Sequence, residues 1–311
     1  MLNLGTATLL VGFNRPELIE KRLAEISKFS NLKLYISIDG PRKKSNDAKA
    51  NNEILKIIEK WKTKLDIVEI IHKKNIGLAL NITSSIENVL ESNESIFVIE
   101  DDVSVSKQAY NAILRMQKLA HSNVATIGGF GFTNGKFLNS KLSMKNAFRE
   151  TPYFSAWGWC IDRNTFSNYV LDLSSIKIAK ELRDSKIWNM LDAREREIWI
   201  RRFDRVLKDP FYTWDLQMQF MSFKYEKTHY LPLFRIIENE GFNDHRGTHI
   251  KGQKPKWYIG NSLSLDMSSK LYTKNHLINN MWIWADRYTW AGTRKIRKTV
   301  WSQNFKIRSS S

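Results

Sequence analysis

The sequence predicts an α/β protein with a mostly parallel central sheet flanked by helices, and two observations support this prediction. Four short apolar runs rich in Ile, Leu and Val recur within the first hundred residues. Amphipathic segments with helical periodicity separate these runs. Strands of this composition between amphipathic helices are typical of a parallel sheet that is covered on both faces.

The strand–helix units follow one another in order. The strand TATLLVGF leads into the helix NRPELIEKRLAEISKF, where Asn14 is the expected N-cap, Pro16 suits the first turn and Glu17 completes a capping box. The second unit joins KLYISIDG to NDAKANNEILKIIEKWKTK. The third joins DIVEIIHK, through the turn NIG, to LALNITSSIENVLESNE, and the fourth strand is SIFVIEDD.

The pattern becomes less regular after Val103. KQAYNAILRMQKLAHS is a predicted helix and VATIGGF a predicted strand. An aromatic stretch, PYFSAWGWCIDR, a charged helical region, ELRDSKIWNMLDAREREIWIRRFDRVL, and FYTWDLQMQFMSFKYE follow. No internal repeat, low-complexity linker or domain boundary is visible before about residue 250. We therefore expect a single domain whose two halves share one continuous sheet.

Residues 251–311 are a basic, aromatic C-terminal extension. They hold twelve Lys and Arg against two Asp, a net charge of +10 within the +17 of the whole chain. Four of the extension's five tryptophans, Trp282, Trp284, Trp290 and Trp301, are interspersed with basic side chains near the end of the sequence. Two interpretations stay open: a segment that lies on an anionic membrane surface, and a helix packed on the body of the protein.

The composition also bears on the compartment. Cys160 is the only cysteine, which excludes an intramolecular disulfide framework and suits a reducing environment. The N-terminus lacks the cationic start of a signal peptide, and no segment supplies the ~20 apolar residues of a membrane-spanning helix. We expect a cytoplasmic protein, and the inner face of the cell membrane is the surface that the extension would bind.

Three consecutive carboxylates, Glu100, Asp101 and Asp102, directly follow the apolar run of the fourth strand. Like charges side by side repel one another, so we expect a positive partner. Magnesium and similar hard cations are held by one or two carboxylates together with substrate phosphates, which predicts a cation and a nucleotide here. The alternative is that the acids are ordinary loop residues or cap the next helix.

Polar residues and a glycine also follow the first three strands. Asn14 and Arg15 come after the first, Asp39 after the second, and Asn75 and Gly77 after the third. In an open α/β sheet, ligands bind at the carboxyl ends of the strands. A nucleoside diphosphate is the ligand that these residues and the acidic triplet predict together.

The order of motifs FNRPE, SIDG, NIG, VIEDD, YFSAWGW, TWD and GFNDHRGTH resembles glycosyltransferases of the GT-A (Rossmann-like) fold. The nearest likenesses are the N-acetylglucosaminyltransferase I group and bacterial surface-polysaccharide sugar transferases, over about residues 5–250. The resemblance implies a metal-dependent, inverting transfer from a nucleoside diphosphate sugar, with a UDP-sugar favoured, to a glycan or lipid-linked acceptor. Residues 1–105 would bind the donor, and residues 106–250 would bind the acceptor and carry the catalytic base.

The resemblance also implies roles for individual residues. Glu100, Asp101 and Asp102 would form the DXD-type motif, with Asp102 as the ligand of Mn²⁺ or Mg²⁺. Arg15 and Asp39 would line the nucleotide pocket.

Asp215, in the TWD motif, matches the family's general base. Eukaryotic members have two acids between tryptophans, whereas this chain has Trp214, Asp215 and Leu216. An inverting transfer needs one carboxylate to take the proton of the acceptor hydroxyl. The alternative is that Asp215 caps the helix DLQMQFMSFKYE.

Two further segments supply candidate contacts. Gly158 and Trp159, within PYFSAWGWCIDR, are predicted to contact the sugar nucleotide, because aromatic faces pack against sugar rings and glycine permits close approach. Core packing is the alternative for these aromatic rings. The loop GFNDHRGTH resembles one that closes over the diphosphate, where His249 would meet the metal or a phosphate oxygen; a solvated histidine is the alternative.

Other classes are less compatible with the sequence. There is no phosphate-binding loop of the G-x-x-x-x-G-K-[ST] type, and the glycines of IGGFGFTNG have the wrong spacing for a dinucleotide site. Scattered histidines and one cysteine argue against a structural zinc site. A nucleic-acid-binding protein stays open because of the pI of 9.8 and the basic extension, although no recognition motif is visible.

Overall fold

The computed structural model describes residues 3–29, 32–43, 46–131 and 148–242, together with Asp244, Arg246 and Tyr258. Within these residues the strands are β1 (Asn3–Gly12), β2 (Leu34–Ile38), β3 (Ile67–Ile71), β4 (Asn93–Glu100), β5 (Val103–Val105), β6 (Val124–Gly128), β7 (Phe148–Thr151), β8 (Trp159–Asp162), β9 (Thr228–Pro232) and β10 (Ile237–Asn239). The helices are α1 (Pro16–Ile26), α2 (Asp47–Trp61), α3 (Leu78–Ser92), α4 (Lys107–Leu119), α5 (Arg163–Phe166), α6 (Ile178–Glu181), α7 (Lys186–Met190), α8 (Ala193–Lys208) and α9 (Asp215–Lys224). His249 and, apart from Tyr258, the C-terminal extension lie outside the described residues.

Eight of these strands form one sheet in the order β3-β2-β1-β4-β8-β6-β9-β7. β1 pairs in parallel with both β2 and β4, and β2 pairs in parallel with β3, as the βαβ pattern predicts. All five residues of β2 are buried, as expected for a strand with helices on both faces. The predicted α/β sheet flanked by helices is confirmed.

The second half of the chain extends the same sheet. β8 runs antiparallel between β4 and β6, β9 is parallel to β6, and β7 is antiparallel to β9 at the edge. Because β4 and β8 are directly hydrogen-bonded, the prediction of one continuous sheet is confirmed.

A two-stranded ribbon lies beside the end of β4. β5 pairs antiparallel with β10, which sets Asn239 opposite Val103. The backbone amide of Glu240 then donates to the carbonyl oxygen of Asp102 at 2.7 Å. The ribbon therefore holds the segment after β10 against the acidic triplet, although the two are far apart in the chain.

Apolar side chains pack on both faces of the sheet. Along β4, Phe97 and Ile99 belong to a cluster with α1, α2 and α4, whereas Ile96 and Val98 belong to a cluster with α3 and α9. This alternation is the two-residue period of a strand. A third apolar cluster joins α6, α7, α8 and α9. Together these clusters fix the positions of the strand ends.

The predicted N-cap of α1 is wrong. Arg15 occupies the N-cap position without a capping side-chain bond. The Asn14 side chain instead donates to the buried carboxylate of Asp47 at 2.8 Å, and Glu17 accepts from Arg246. Because Asn14 and Glu17 bond to residues distant in the sequence, the local capping box does not form.

The charged region that the sequence predicts as helical forms α7 and α8, and its first residue, Glu181, ends α6. Ser185 and Asp192 cap α7 and α8, accepting from the backbone amides of Trp188 at 3.1 Å and Glu195 at 2.8 Å. In the part of the chain that the structure describes, no helix has the length and apolar character needed to cross a membrane.

His229 on β9 gives the fold a testable pH dependence. The ring is fully buried and its Nδ1 lies 2.7 Å from Thr126 Oγ1, and burial lowers the pKa of His229 from 6.5 to about 3. Since the unfolded chain binds this proton more readily, the contribution of His229 to stability is complete above the unfolded pKa and declines as the pH falls. Between the unfolded pKa and pH 5, wild type should lose about 1.5 kcal/mol more than His229→Gln. Urea unfolding of both proteins at several pH values measures this difference, and parallel pH profiles would contradict it.

Candidate active site

A cleft of about 640 Å³ opens at the carboxyl ends of β1, β2 and β4. Both halves of the chain line it. Nine of the twelve predicted site residues are among the lining residues: Asn14, Arg15, Asp39, Asn75, Gly77, Glu100, Asp101, Asp102 and Asp215. The roles of these residues in binding and catalysis stay predictions.

Arg15 is a positive partner of the acidic triplet. Its Nε donates to Asp101 Oδ2 at 3.2 Å, and its Nη2 donates to Asp101 Oδ1. Its Nη1 donates to Asp102 Oδ2 at 3.2 Å. Burial opposes the charge of Arg15, but these two carboxylates outweigh burial and raise the pKa of the guanidinium. The chain itself therefore supplies part of the counter-charge that the sequence predicts.

The triplet stays electrostatically strained despite this partner. Burial, opposed by Arg15 and reinforced by Asp102, raises the pKa of Asp101 to about 7. Burial, followed by the charges of Asp102 and Asp101, raises the pKa of Glu100 well above its ordinary value. A further cation at this end of the cleft would favour the ionised forms of both side chains.

The three carboxylates differ in their capacity to bind a cation. Both oxygens of Asp101 accept from Arg15, and the side chain is 2% exposed. Asp102 is 15% exposed, and no described residue donates to its Oδ1. Within the described ranges, no group of three His, Cys, Asp or Glu side chains is placed to hold a metal ion. Asp102 is therefore the carboxylate of the triplet that has an oxygen left to meet a ligand, and a metal held there would need phosphate oxygens as further ligands.

Asp39 organises the loop between β3 and α3. Its Oδ1 accepts from the amides of Gly40 and Ile76, both at 2.8 Å. Its Oδ2 accepts from the Asn75 side chain at 2.8 Å and from the Gly77 amide at 3.0 Å. Four donors use the acceptor capacity of a carboxylate. In this arrangement Asp39 shapes the pocket. The exposed Asn75 donates from Nδ2 to Asp39 and to the Gly40 carbonyl oxygen, so its Oδ1 is the atom left to meet a ligand.

Gly77 lines the cleft and directly precedes α3. Its φ is +86°, which disfavours any residue with a side chain, and the position where a Cβ would stand faces open space. Leu78, the first residue of α3, also lines the cleft. The positive end of a 15-residue helix therefore faces this space, which favours an anionic ligand.

A further wall of the cleft was missed by the sequence prediction. Arg42 donates from Nε to Asp47 Oδ2 at 2.6 Å and lies over the Phe13 ring at 5.1 Å. Asp47 also accepts from Asn14. Only the position of Arg42 shortly after the second strand pointed to this wall.

Asp215 lines the same cleft, at the start of α9. It is the first helical residue, and the N-cap is Trp214, so the alternative in which Asp215 is the cap is wrong. The Thr213 hydroxyl donates to Asp215 Oδ1, whereas Oδ2 accepts no hydrogen bond from the described residues. One carboxylate oxygen is thus held in place while the other is available to a ligand.

Gly158 and Trp159 do not line the cleft. Trp159 is fully buried and stacks on Trp214 with ring centroids 5.3 Å apart. Gly158 is buried with φ +58°, and its carbonyl oxygen accepts from the Gly129 amide at 2.7 Å. Because β8 begins at Trp159 and enters the sheet, this ring supports Trp214 from behind. The cleft is lined by the preceding residues of the motif, among them Trp157.

α8 contributes a cationic wall that was not predicted. Arg202 and Arg205 line the cleft on the same side as Tyr212 and Asp215. The Arg202 guanidinium lies 4.6 Å from the centroid of the Trp199 ring. The spacing of these arginines beside the buried Trp199 and Phe203 was the available signal, since residues three apart share a helix face.

The residues that follow β10 complete the lining of the cleft. Arg246 lines the cleft, donates to Glu17 at the start of α1, and donates from Nη2 to Asp244 Oδ2 at 2.9 Å. Gly241 packs so closely on Asp102 that an added Cβ would overlap Oδ2. This segment therefore fixes the orientation of the Asp102 carboxylate.

Comparison with known proteins gives structural likenesses only. No family model matches the chain, and no curated protein matches its sequence. The solved structures that it resembles include a mannosyltransferase from Pyrobaculum calidifontis with GDP-mannose and Mn²⁺ (11% identity, TM-score 0.40, 72% of this chain and 73% of that one). Two others are S. aureus TarS (13%, 0.43, 74% and 58%) and GalNAc-T7 with UDP, GalNAc and Mn²⁺ (12%, 0.39, 53% and 37%). The chain spans less than two thirds of the last two, and at these identities and TM-scores the likeness carries no argument about chemistry.

Proposed function

We propose that the protein is a GT-A-type glycosyltransferase that transfers a sugar from a nucleoside diphosphate sugar to a hydroxyl group of a glycan acceptor. One observation supports this above all: the acidic triplet with Arg15 and the carboxylate of Asp215 line one cleft at the strand ends. The volume of about 640 Å³ lies within the ordinary range of small-molecule sites.

The donor would bind across the ends of β1, β2 and β3. Asn14, Asn75 and the α3 N-terminus at Gly77 surround the space proposed for the nucleotide and its diphosphate. Asp102 would hold a divalent cation, Mn²⁺ or Mg²⁺, and His249 is proposed as a further contact. When bound, this cation supplies a Lewis acid for the departing diphosphate. Arg15 keeps Asp101 and Asp102 in a fixed arrangement.

Asp215 would act as the general base. Thr213 fixes Oδ1, so Oδ2 can accept the proton of the acceptor hydroxyl. In an inverting reaction this single base would activate the acceptor hydroxyl for attack on the face of the sugar away from the diphosphate. Trp214, stacked on Trp159, keeps the start of α9 rigid.

The setting that we propose is the synthesis of a bacterial surface polysaccharide in the cytoplasm, on a lipid-linked or soluble glycan. The basic aromatic extension, residues 251–311, would hold the protein on the inner face of the membrane. Nucleic-acid binding was the alternative from the sequence. The extension that favoured it lies outside the described residues, and no described feature supports it.

A donor screen tests the proposal. Purified protein is incubated with UDP-, GDP- and other nucleoside diphosphate sugars, with and without Mn²⁺, and released nucleoside diphosphate is measured. We expect release from one donor class, increased by Mn²⁺. Salt-sensitive binding to random-sequence DNA without any response to sugar nucleotides would contradict the proposal.

Gly241→Ala tests the cation site without removing a carboxylate. The added methyl group would displace Asp102 Oδ2. We expect Mn²⁺-dependent affinity for the nucleoside diphosphate to fall at least ~10-fold, or ~1.4 kcal/mol. Calorimetric titration with Mn²⁺ measures this effect, and titration without Mn²⁺ is the control. Equal Mn²⁺-dependent affinities would place the cation away from Asp102.

A further inference from the structure

We propose that the acceptor carries an anionic group, a phosphate or a carboxylate, which Arg202 and Arg205 bind beside Asp215. This inference rests on the proposed function and names the class of acceptor. It is carried by the cationic wall of α8, which the proposed chemistry at the donor end does not use.

The two arginines lie together at the end of the cleft that contains Asp215. Both line the cleft, and each projects from α8, which leads through Tyr212 into Thr213 and Asp215. Burial lowers the pKa of Arg202, the charge of Arg205 lowers it further, and Asp215 opposes both. Arg202 therefore lies within electrostatic reach of both Arg205 and Asp215.

Arg205 differs from the other arginines at the cleft. Arg15, Arg42 and Arg246 each pair with a carboxylate of the chain. Arg205 has no carboxylate within ion-pair distance among the described residues, and it stands beside a second cation. A guanidinium in this position is suited to an anion from outside, since its fork of donors matches phosphate and carboxylate.

Aromatic side chains complete the surface for a sugar. Tyr212 lines the cleft and is 44% exposed, and Phe211 beside it is 56% exposed. Trp199 packs beneath Arg202 and holds its guanidinium in place. An aromatic face, an anion site and a base are thus adjacent, which are the contacts that an anionic sugar with a free hydroxyl group requires.

The position of Arg202 near the proposed base assigns the anion to the acceptor. The α3 N-terminus and Arg15 are the positive groups that the proposed diphosphate would meet. Arg202 instead lies close enough to Asp215 to feel its charge. A group held there is next to the proposed base.

The test is a binding titration with the full-length protein at constant ionic strength, with UDP or GDP in excess to fill the donor end. The probes are glucose 6-phosphate, methyl glucuronide, methyl glucoside and inorganic phosphate, and tryptophan fluorescence is the readout. We expect at least one of the two anionic sugars to bind at least ~10-fold more tightly than methyl glucoside. Arg205→Gln should abolish this preference and Arg205→Lys should retain part of it.

Arg201→Gln is the matched control. Arg201 lies on the same helix, is 72% exposed and pairs with Glu197, so its loss should leave the preference unchanged. Equal binding of charged and neutral sugars, or an Arg205→Gln variant that behaves as wild type, would overturn the inference. Inorganic phosphate binding as tightly as glucose 6-phosphate would overturn the assignment to an acceptor sugar.

The two proposals fail in different ways. If no nucleoside diphosphate binds, the proposed function fails. The same titration without nucleotide still decides whether Arg205 selects anionic sugars.

Discussion

Asp215→Asn is expected to lower kcat for sugar transfer about 10³-fold and to leave the affinity for the nucleoside diphosphate within about twofold. The amide keeps the size of the side chain and can still accept from Thr213, but it cannot take a proton from the acceptor. Asp215 is hydrogen-bonded to Thr213 and not to Asp102 or Arg15, so donor binding should change little. Initial rates at saturating donor and acceptor give kcat, and calorimetry gives the dissociation constant.

Asp204→Asn is the matched control for Asp215→Asn, because Asp204 is an exposed carboxylate of α8 that does not line the cleft. Thr213→Val keeps the base but removes its hydrogen bond, and we expect a smaller loss of kcat. Unchanged turnover in Asp215→Asn would remove Asp215 from the mechanism.

The sheet and the meeting of its strand ends could be predicted because both depend on local patterns. Runs such as Ile96–Ile99 between amphipathic helices predict parallel strands, and parallel strands end at one edge. That Arg15, Asp39 and Glu100–Asp102 meet in one cleft could therefore be expected without knowledge of tertiary contacts.

The partners of these side chains could not be predicted, because they depend on contacts between distant segments. Nothing near Asp39 in sequence indicates that the amides of Ile76 and Gly77 use its acceptors. The motif around Trp159 reaches the cleft through Trp157, whereas the Trp159 side chain turns into the sheet. Which residues of such a motif reach the cleft depends on where β8 begins, and a strand boundary is poorly defined by sequence.

Arg15 changes the interpretation of the triplet in one respect. The sequence predicts that the repulsion among three acids is relieved by a bound cation. In the structure the guanidinium already neutralises Asp101 and reaches Asp102. Part of the counter-charge is therefore built into the chain, and we propose that a cation supplies the rest when the ligand binds. This separation predicts different effects for two neighbouring carboxylates.

Asp102→Ala is expected to abolish the contribution of Mn²⁺ to donor binding, a loss of at least ~100-fold in affinity or ~2.7 kcal/mol. The fold should tolerate it, because Arg15 keeps both of its bonds to Asp101. Calorimetric titration of the donor nucleotide with and without Mn²⁺ measures the affinity, and urea unfolding measures the stability.

Asp101→Ala is the informative contrast to Asp102→Ala. Removing this 2% exposed carboxylate leaves Arg15 with one of its two partners, and breaking a buried pair costs about 3 kcal/mol of stability. If Asp102 holds the cation and Asp101 holds Arg15, Asp102→Ala loses Mn²⁺ dependence with little change in unfolding. Asp101→Ala then loses stability before it loses Mn²⁺ dependence. Equal effects of the two variants on Mn²⁺ dependence and on unfolding would mean that the carboxylates act as one unit, and the division of roles would be wrong.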